Sequence, residues 1–358
     1  MAKIVILGAG VMGSAMAVVT GDRGHEVALV GTHLDEAIIS SIEGTKQHPG
    51  LGVMLPSAVT AYRWHCFGQA LEGGADLLIL GISSAGVDWA IDRMVEAKAS
   101  VLPVVMITKG LAPRGASLEV LPRVVAEEFE KRTSRRLSVM AVGGPCIARE
   151  LAARRDTTVV ITGDEGDSLN RAVDLLETSY YHASTSKDVI GIEVCAAFKN
   201  LYAIGVGSAK GRLERTGSAE NGALMHNLGA ALFSQAMAEL SILVSYFGGD
   251  QASVVALAGA GDLYVTCQAG RNCRLGRLLG LGLTYSRAKA DQMAADTIEG
   301  AELALAIGPS LDAMMMIGAL PGERLPLTRA IIDAICRDQP FDFTMASNFL
   351  TSKWQQSV

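Results

Sequence analysis

The chain has 358 residues, of which 49% are hydrophobic and 19% charged, and its formal net charge is −6. This length favours two domains, the composition excludes an intrinsically disordered chain, and the negative charge argues against a nucleic-acid partner. The apolar runs are interrupted before they reach the length of a transmembrane helix, so we expect no membrane span. The six cysteines are scattered without metal-ligand spacing. This pattern predicts no metal site and a reducing, cytoplasmic location.

The first predicted element is a buried strand over residues 3–8, which leads into a glycine-rich turn. The turn reads Gly8-Ala9-Gly10-Val11-Met12-Gly13, and an apolar helix and a second strand at Glu26–Val30 follow it. In such a unit the first glycine permits the turn, the second admits a pyrophosphate to the backbone, and the third lets the helix pack on the strand. The pattern predicts a dinucleotide site on Gly8, Gly10 and Gly13, with Val11 and Met12 at the helix N-terminus that faces the anion.

The end of the second strand bears on which dinucleotide binds. It reads Val30-Gly31-Thr32-His33 and lacks the acidic residue that commonly binds the ribose 2′-hydroxyl of NAD. Asp35 lies four residues past Gly31, which is farther along than expected. No arginine stands at this point for the 2′-phosphate of NADP, although Thr32 and His33 can contribute polar contacts. The prediction is therefore a cofactor that is NAD or NADP.

Further along the chain, apolar strands alternate with helical patterns up to about residue 190. Strands are predicted at 77–80, 104–107, 138–142 and 158–162, and this alternation is typical of a Rossmann-type doubly wound α/β sheet. After residue 191 the chain is rich in Ala, Leu and Met at helical spacing, apart from a polar stretch at 210–222 that we expect to be an exposed loop. We predict an NAD(P)-binding domain at 1–191 and an all-α C-terminal domain at 192–358.

Several separated segments resemble the NAD(P)-dependent glycerol-3-phosphate dehydrogenase family. In chain order they are 48–56 (HPGLGVMLP), 107–110 (ITKG), 144–145 (GP), 188–193 (DVIGIE), 199–200 (KN), 259–263 (GAGDL), 270–272 (GRN), 299–300 (EG) and 325–327 (LPL). The resemblance implies reversible hydride transfer between NAD(P)H and dihydroxyacetone phosphate, which supplies glycerol 3-phosphate for phospholipid synthesis. It also implies the two-domain fold, a small phosphorylated substrate and a homodimer.

Oxidising a secondary alcohol needs a group that takes the hydroxyl proton, and a lysine can do this once burial or nearby cations lower its pKa. Lys199 lies in a nearly apolar helical run. The alternative to a catalytic role is a lysine at a helix end whose ammonium snorkels to solvent. Lys109 directly follows a strand, at the sheet edge where α/β proteins bind ligands. The alternative is that it is only an exposed turn residue. The resemblance makes Lys199 the acid/base and Lys109 a second active-site lysine, near both substrate and cofactor.

The resemblance also gives roles to residues of the helical domain. Asp262, in a Gly-x-Gly-Asp turn, would orient and balance the lysine ammonium. A guanidinium fork beside an amide suits a phosphate dianion, and the segment Arg271-Asn272 offers both. The remaining positions implied by the family are Thr266 and Asn200 for the substrate, and Ala148, Arg271 and Glu299 for the cofactor. The alternative to a cofactor role for Glu299 is a solvent-exposed helix residue.

The sequence departs from the family's common pattern at a few positions. Cys146-Ile147 replaces a serine and a phenylalanine, and Gln235 replaces an arginine that many members carry. Together with the long polar stretch at 210–222, these changes leave two alternatives open. One is a dehydrogenase of the same fold that acts on another phosphorylated ketose or polyol, and the other is a non-catalytic dinucleotide sensor.

Overall fold

The computed structural model describes residues 1–98, 102–115, 117–217 and 222–344. They form two compact units. The first comprises Met1–Lys109 and Val120–Val189, and the second comprises Gly110–Glu119 with the described residues from Ile190 onward. The sequence analysis placed 110–119 in the first domain, but this hairpin groups with the second unit because its first strand packs against a helix there.

Six of the twelve strands found in the described residues correspond to predicted ones. In chain order they are β1 (Lys3–Leu7), β2 (Glu26–Val30), β3 (Gln47–His48), β4 (Val53–Met54), β5 (Val59–Tyr62), β6 (Leu77–Leu80), β7 (Val104–Met106), β8 (Leu111–Arg114), β9 (Ser117–Val120), β10 (Val139–Gly143), β11 (Thr157–Thr162) and β12 (Tyr181–Ser186). The predicted bounds of β2 and β6 are confirmed, and those of β7, β10 and β11 agree within one residue. The short or polar strands β3, β4, β5, β8, β9 and β12 were not predicted.

The helices found in the described residues surround the sheet and then make up most of the second unit. They are α1 (Val11–Asp22), α2 (Glu36–Thr45), α3 (Phe67–Ala70), α4 (Val87–Glu96), α5 (Leu121–Thr133), α6 (Ala148–Ala152), α7 (Gly166–Leu176), α8 (Val189–Thr216), α9 (His226–Phe247), α10 (Ala252–Val255), α11 (Asp262–Gln268), α12 (Arg271–Gly280), α13 (Tyr285–Gln292), α14 (Glu299–Met316) and α15 (Pro326–Cys336). A π-helical turn at Leu257–Gly261 precedes α11, and 3₁₀ turns occur at Trp64–Cys66, Ser84–Gly86 and Gly322–Arg324.

The first unit is built on an eight-stranded sheet, counted over the described residues, with the order β12-β11-β10-β7-β6-β1-β2-β5. Neighbouring strands are parallel except for β10 and β11, which pair antiparallel. Ile4 to Leu7 of β1 are fully buried, as expected for a central parallel strand that helices cover on both faces. The chain leaves β1 for β2 on one side and later returns on the other side as β6, so the switch point of strand order lies at the carboxyl ends of β1 and β6. The predicted Rossmann-type fold is confirmed.

In the second unit, α8 and α12 pack with their backbones in close contact. A Cβ at Gly207 would lie 2.4 Å from the Cys273 carbonyl oxygen, and one at Gly211 would lie 1.9 Å from that of Arg277. Because these glycines let α12 pack against the last turns of α8, that part of the chain stays helical up to Thr216. The prediction of a loop from residue 210 is therefore wrong for 210–216. Residues 218–221 of that predicted loop lie outside the described part of the chain.

Two further predictions about the helical region need correction. The Ala-, Leu- and Met-rich stretch at 287–306 predicts one helix, but it divides into α13 and α14, and α14 then continues through Gly308 and Pro309 to Met316. Two helices, α8 and α9, are also long and apolar enough to cross a membrane by length and composition, contrary to the expectation that no segment reaches this length. The apolar window of α8 is 83% buried within the protein, so this helix is a core helix of the second unit.

Candidate active site

The glycine turn between β1 and α1 has the geometry that the fingerprint requires. Gly8 has a φ of +113°, a conformation that favours glycine, and a Cβ at Gly13 would lie 2.0 Å from the Gly8 carbonyl oxygen. At Gly10, by contrast, a Cβ would have no neighbouring atom within 4 Å, so the backbone is open to a ligand on that side. Gly10 precedes α1 and has no side chain to cap it, which leaves the amides of Val11 and Met12 available to an anion. The described turn therefore fits a dinucleotide pyrophosphate.

The end of β2 differs from the sequence expectation. The Asp35 carboxylate reaches back to the glycine turn, where its Oδ2 accepts from the Ala9 backbone N–H at 3.1 Å. The same oxygen accepts from the backbone N–H and the hydroxyl of Thr32, at 2.8 and 2.9 Å. His33 is exposed and makes an edge contact with the Trp89 ring, 5.7 Å between centroids. Asp35 is therefore not too distant from the site, because α2 begins directly after it and turns its side chain inward.

Lys109 and Ala148 lie at the same carboxyl edge of the sheet as the glycine turn. Lys109 is half-buried and follows β7 by three residues, after Thr108, whose hydroxyl donates to the Ile82 carbonyl at 2.8 Å. Ala148 is the first residue of α6, which packs against α1. Next to it, the Cys146 Sγ lies 4.0 Å from the Sδ of Met12. The cysteine that replaces the family's serine thus contacts the start of α1.

Within the helical unit, Lys199 of α8 and Asp262 of α11 form a buried ion pair. The Lys199 Nζ donates to Asp262 Oδ1; the lysine is 8% exposed and the aspartate fully buried. The sequence predicts a turn at residue 262, but Asp262 is the first residue of α11, after the π-helical turn. The carboxylate balances the charge of the buried ammonium and restricts its mobility.

Thr266 lies one turn after Asp262 on α11, and its hydroxyl donates to the Asp262 carbonyl at 2.6 Å. It is half-buried on the helix that carries the carboxylate. The charge of Lys199 lowers the pKa of the thiol of the next residue, Cys267, but burial has the larger effect and raises this pKa to about 12. This cysteine therefore stays neutral at physiological pH and acts as a packing residue.

The side chains of Asn200 and Asn272 form a second polar network in the helical unit. The Asn272 Nδ2 donates to Asn200 Oδ1 at 3.0 Å, and its Oδ1 accepts from the Gly300 N–H at 2.9 Å. Since the Gly300 N–H can only donate, this bond fixes the orientation of the Asn272 amide. The network ties the start of α12 to α8, directly after Lys199, and to the start of α14.

Arg271 and Glu299 form an exposed ion pair at the N-termini of α12 and α14. The Arg271 guanidinium donates to Glu299 Oε1 at 2.5 Å, and both side chains are nearly half exposed. Arg271 is the first residue of α12. Its charge adds to the positive end of a ten-residue helix, which favours an anion at this position.

The structure therefore brings the predicted residues together in two groups. The turn residues, Thr32, His33, Lys109 and Ala148 lie at or near the carboxyl edge of the sheet in the first unit. In the second unit, α8, α11, α12 and α14 carry Lys199, Asn200, Asp262, Thr266, Arg271, Asn272 and Glu299. The described residues contain no group of three or more His, Cys, Asp or Glu side chains that could hold a metal ion.

A glycine turn at the switch point of a parallel sheet, followed by a helical unit with a buried lysine–carboxylate pair, defines a dinucleotide-dependent oxidoreductase. Family models described as the N-terminus and C-terminus of NAD-dependent glycerol-3-phosphate dehydrogenase match residues 3–168 and 188–345. The chain belongs to the NAD(P)-dependent glycerol-3-phosphate dehydrogenase family.

Individual relatives agree with the family models. The chain is 35% identical over 283 residues to an NADP(+)-dependent glycerol-3-phosphate dehydrogenase of Archaeoglobus fulgidus, covering 79% of this chain and 81% of that protein. It is 32% identical to a glycerol-3-phosphate dehydrogenase (NAD(P)+) of Oceanobacillus iheyensis, covering 79% and 77%. A crystal structure of glycerol-3-phosphate dehydrogenase from Coxiella burnetii matches with a TM-score of 0.78 at 26% identity, covering 95% of this chain and 96% of that one.

Three residues that contact the glycine turn had no role in the sequence analysis: Asp35, His48 and Ser14. His48 stands in the segment HPGLGVMLP, which contributed to the resemblance without a function. Its ring contacts Ala9, 39 residues earlier in the chain. No local spacing signals such a contact.

Proposed function

We propose that this protein catalyses reversible hydride transfer between NAD(P)H and dihydroxyacetone phosphate, which yields sn-glycerol 3-phosphate. The observation that carries the proposal is the buried contact between Lys199 and Asp262. Burying a charged lysine in an apolar helix costs free energy unless a carboxylate pairs with it. Buried ionisable groups of this kind are concentrated at functional sites, where their protons take part in the reaction. Membership of the glycerol-3-phosphate dehydrogenase family supports the same reaction.

In the direction of ketone reduction, the Lys199 ammonium is the group that gives a proton to the carbonyl oxygen. A dinucleotide bound at the glycine turn would supply the hydride. In the reverse direction neutral Lys199 takes the hydroxyl proton. Asp262 holds the ammonium in place and balances its charge, so the lysine can change protonation state without moving far. We assign Lys109 the role of a second cation beside the substrate carbonyl and the cofactor.

The phosphate group of the substrate has a suitable partner at the start of α12. Arg271 offers a guanidinium fork and the helix N-terminus adds a partial positive charge, so a dianion can replace Glu299 as the partner of Arg271. Asn272 and Asn200 lie beside this position and are linked by their amides. We assign Arg271, Asn272, Asn200 and Thr266 to the substrate. The chemistry predicts a small phosphorylated ligand.

The dinucleotide, NAD or NADP, is assigned to the turn of Gly8, Gly10, Val11, Met12 and Gly13. Residues further along the same edge of the sheet extend the site, and the fit rests on the open backbone at Gly10 and the uncapped N-terminus of α1. The additional cofactor residues we propose at this edge are Thr32, His33, Lys109 and Ala148. The family resemblance adds Arg271 and Glu299 of the second unit to the proposed cofactor residues.

The direct test is the oxidation of NADH and of NADPH with a panel of phosphorylated ketoses. Dihydroxyacetone phosphate should give the highest kcat/KM, by at least about tenfold over four- and five-carbon ketose phosphates, because one mismatched group in a closed site costs about 1–3 kcal/mol. Equal rates on longer ketoses would favour the same-fold dehydrogenase of another substrate. Binding of either dinucleotide without turnover of any ketose would favour the sensor.

We further propose a cytoplasmic homodimer. Scattered cysteines in the sequence fit a reducing compartment, and closed two-fold dimers are the commonest assembly of soluble enzymes. Light scattering on the full chain tests the assembly: a mass near 75 kDa, twice 37.5 kDa, is expected, and a mass of one chain at micromolar concentration would refute it.

A further inference from the structure

Both backbone hydrogen-bonding groups of Ala9, inside the glycine turn, are bonded to side chains. Its N–H donates to Asp35 Oδ2 at 3.1 Å. Its carbonyl oxygen accepts from His48 Nε2 at 3.1 Å and from the Ser14 hydroxyl at 3.0 Å. Side chains from α1, from the loop before α2 and from β3 thus fix the two peptide groups that flank the Ala9 Cα, just before the amides at the start of α1.

The His48 ring is suited to this contact by its own hydrogen bonds. It is 1% exposed, and its Nδ1 accepts from the backbone N–H groups of Gly50 and Leu51 at 3.0 and 3.1 Å. Because a backbone N–H can only donate and a carbonyl can only accept, Nδ1 carries no proton and Nε2 carries one. Burial lowers the pKa of His48, which keeps this neutral form populated at neutral pH.

The segment after His48 supports the turn from the same side. A Cβ at Gly50 would lie 3.2 Å from Cγ1 of Val11, so the backbone at Gly50 packs directly against the first residue of α1. The opposite side of the turn, at Gly10, is open. Residues 48–51 therefore form a wall behind the turn, and the ligand side stays free.

We propose that His48 is a positioning residue for the dinucleotide: with Asp35 and Ser14 it fixes the backbone on both sides of the Ala9 Cα so that the following amides face the pyrophosphate. The Ala9 carbonyl, whose negative end would repel the anion, is bonded to two donors. The Asp35 carboxylate is likewise bonded to three donors. The inference rests on dinucleotide binding at this turn, and because NAD and NADP share the pyrophosphate it holds for both.

Two substitutions of His48 separate this role from a local structural one. In His48→Asn the side-chain oxygen lies near the former Nδ1 and keeps the Gly50 and Leu51 contacts, but the bond to Ala9 is lost. In His48→Gln the amide nitrogen extends to the former Nε2 position and keeps the bond to Ala9. If His48 only stabilised residues 48–52, His48→Asn would be the milder change.

A second pair of variants tests the other donor to the same oxygen. Ser14→Ala removes the hydroxyl that bonds to Ala9. Thr20→Val removes a buried hydroxyl of the same helix that donates to the Met16 carbonyl at 2.8 Å, away from the turn. The two changes are matched in burial and in the kind of bond lost. Only Ser14→Ala should alter the dissociation constant of the dinucleotide.

The measurement is the Kd of NADH and NADPH, from nicotinamide fluorescence, for the wild type and these variants, alongside urea unfolding. We expect a Kd raised about three- to tenfold in His48→Asn and in Ser14→Ala, the effect of one lost neutral hydrogen bond. His48→Gln and Thr20→Val should stay within about twofold of the wild type. An unchanged Kd in His48→Asn, or an equal loss in His48→Gln, would overturn the inference. If the wild type binds dinucleotide but turns over no ketose phosphate, the proposed function fails and this inference stands.

Discussion

The ammonium of Lys199 contacts the carboxylate of Asp262, which lies 63 residues further along the chain and is fully buried. The two residues are on different helices, α8 and α11, so their contact depends on how those helices pack. An unpaired charge at either position would be costly in this environment. The proposed acid/base role of the lysine therefore depends on the aspartate.

Replacement of the aspartate tests this dependence. In Asp262→Asn the lysine loses its counter-charge, which disfavours the charged form that donates the proton during ketone reduction. We expect kcat for dihydroxyacetone phosphate to fall by about 100-fold, the lower end of what general acid catalysis contributes. The Kd of the dinucleotide serves as the control and should stay unchanged. A kcat within about threefold of the wild type would show that Lys199 does not need Asp262.

Asn272 combines a structural bond with a proposed substrate contact, and two variants separate them. Asn272→Ala leaves the Gly300 N–H without its acceptor and should lower the free energy of unfolding by about 1–3 kcal/mol. Asn272→Asp keeps an acceptor for Gly300 and should be less destabilised, but its added negative charge repels phosphate. We expect KM for dihydroxyacetone phosphate to rise at least about tenfold in Asn272→Asp. An unchanged KM in this variant would remove Asn272 from the phosphate site.

Arg271 is expected to matter for the substrate and little for stability. Its ion pair with Glu299 is exposed, so Arg271→Gln should change the free energy of unfolding by less than about 1 kcal/mol. KM for dihydroxyacetone phosphate should rise about 10- to 100-fold, because a hydrogen bond to a charged group is lost. Arg274→Gln is the matched control, since Arg274 is on the same helix and pairs with Asp296 at 3.1 Å. Equal effects of the two substitutions on KM would contradict the assignment.

Glu239 caps the N-terminus of α15 from inside the second unit. Its fully buried carboxylate accepts from the backbone N–H groups of Leu327 and Thr328, both at 2.7 Å, and from the Thr328 hydroxyl. Gln235, where many family members carry an arginine, donates to the same carboxylate at 2.8 Å. With an amide in place of a cation, burial raises the pKa of Glu239 to about 7.

A raised pKa of this carboxyl makes stability depend on pH. Between about pH 4.5 and 7 the folded protein holds a proton that the unfolded chain has lost, so this group's contribution falls as pH rises, by up to about 1.4 kcal/mol per unit. Above about pH 7 the cost of its ionisation is fully present. Urea unfolding from pH 5 to 8 should show this slope in the wild type and a weaker one in Gln235→Arg, whose cation favours the carboxylate. Parallel slopes in the two proteins would refute the assignment.

The first unit was predictable from the sequence because its central strands are continuous apolar runs. Ile4 to Leu7 and Leu77 to Leu80 are fully buried, and such runs between glycines identify parallel strands directly. Two strands at the sheet edges were not predicted because they lack a continuous apolar run. β5 and β12 are edge strands, which pair with only one neighbouring strand and need less apolar surface. They therefore contain alternating or mostly polar residues, such as the sequence YHASTS of β12.

The limits of α8 could not be predicted, because helix packing and not local preference determines them. The polar, glycine-containing stretch from residue 210 predicts a loop, yet Gly207 and Gly211 let α12 approach the backbone of α8. For the site, the family motifs predicted Lys199, Asp262, Asn200 and Asn272, whose mutual contacts the structure reveals. The contacts of Asp35 and His48 with Ala9 depend on the folded chain and had no sequence signal.

The most direct test of the account is a comparison of Lys199→Ala with the wild type in two measurements on the same samples. One is the rate of NADH and NADPH oxidation with dihydroxyacetone phosphate, and the other is the Kd of each dinucleotide. We predict that the substitution lowers kcat by at least about 1,000-fold, since the proton donor is lost, and leaves the Kd within about threefold. Turnover of Lys199→Ala within about tenfold of the wild type would contradict the central claim.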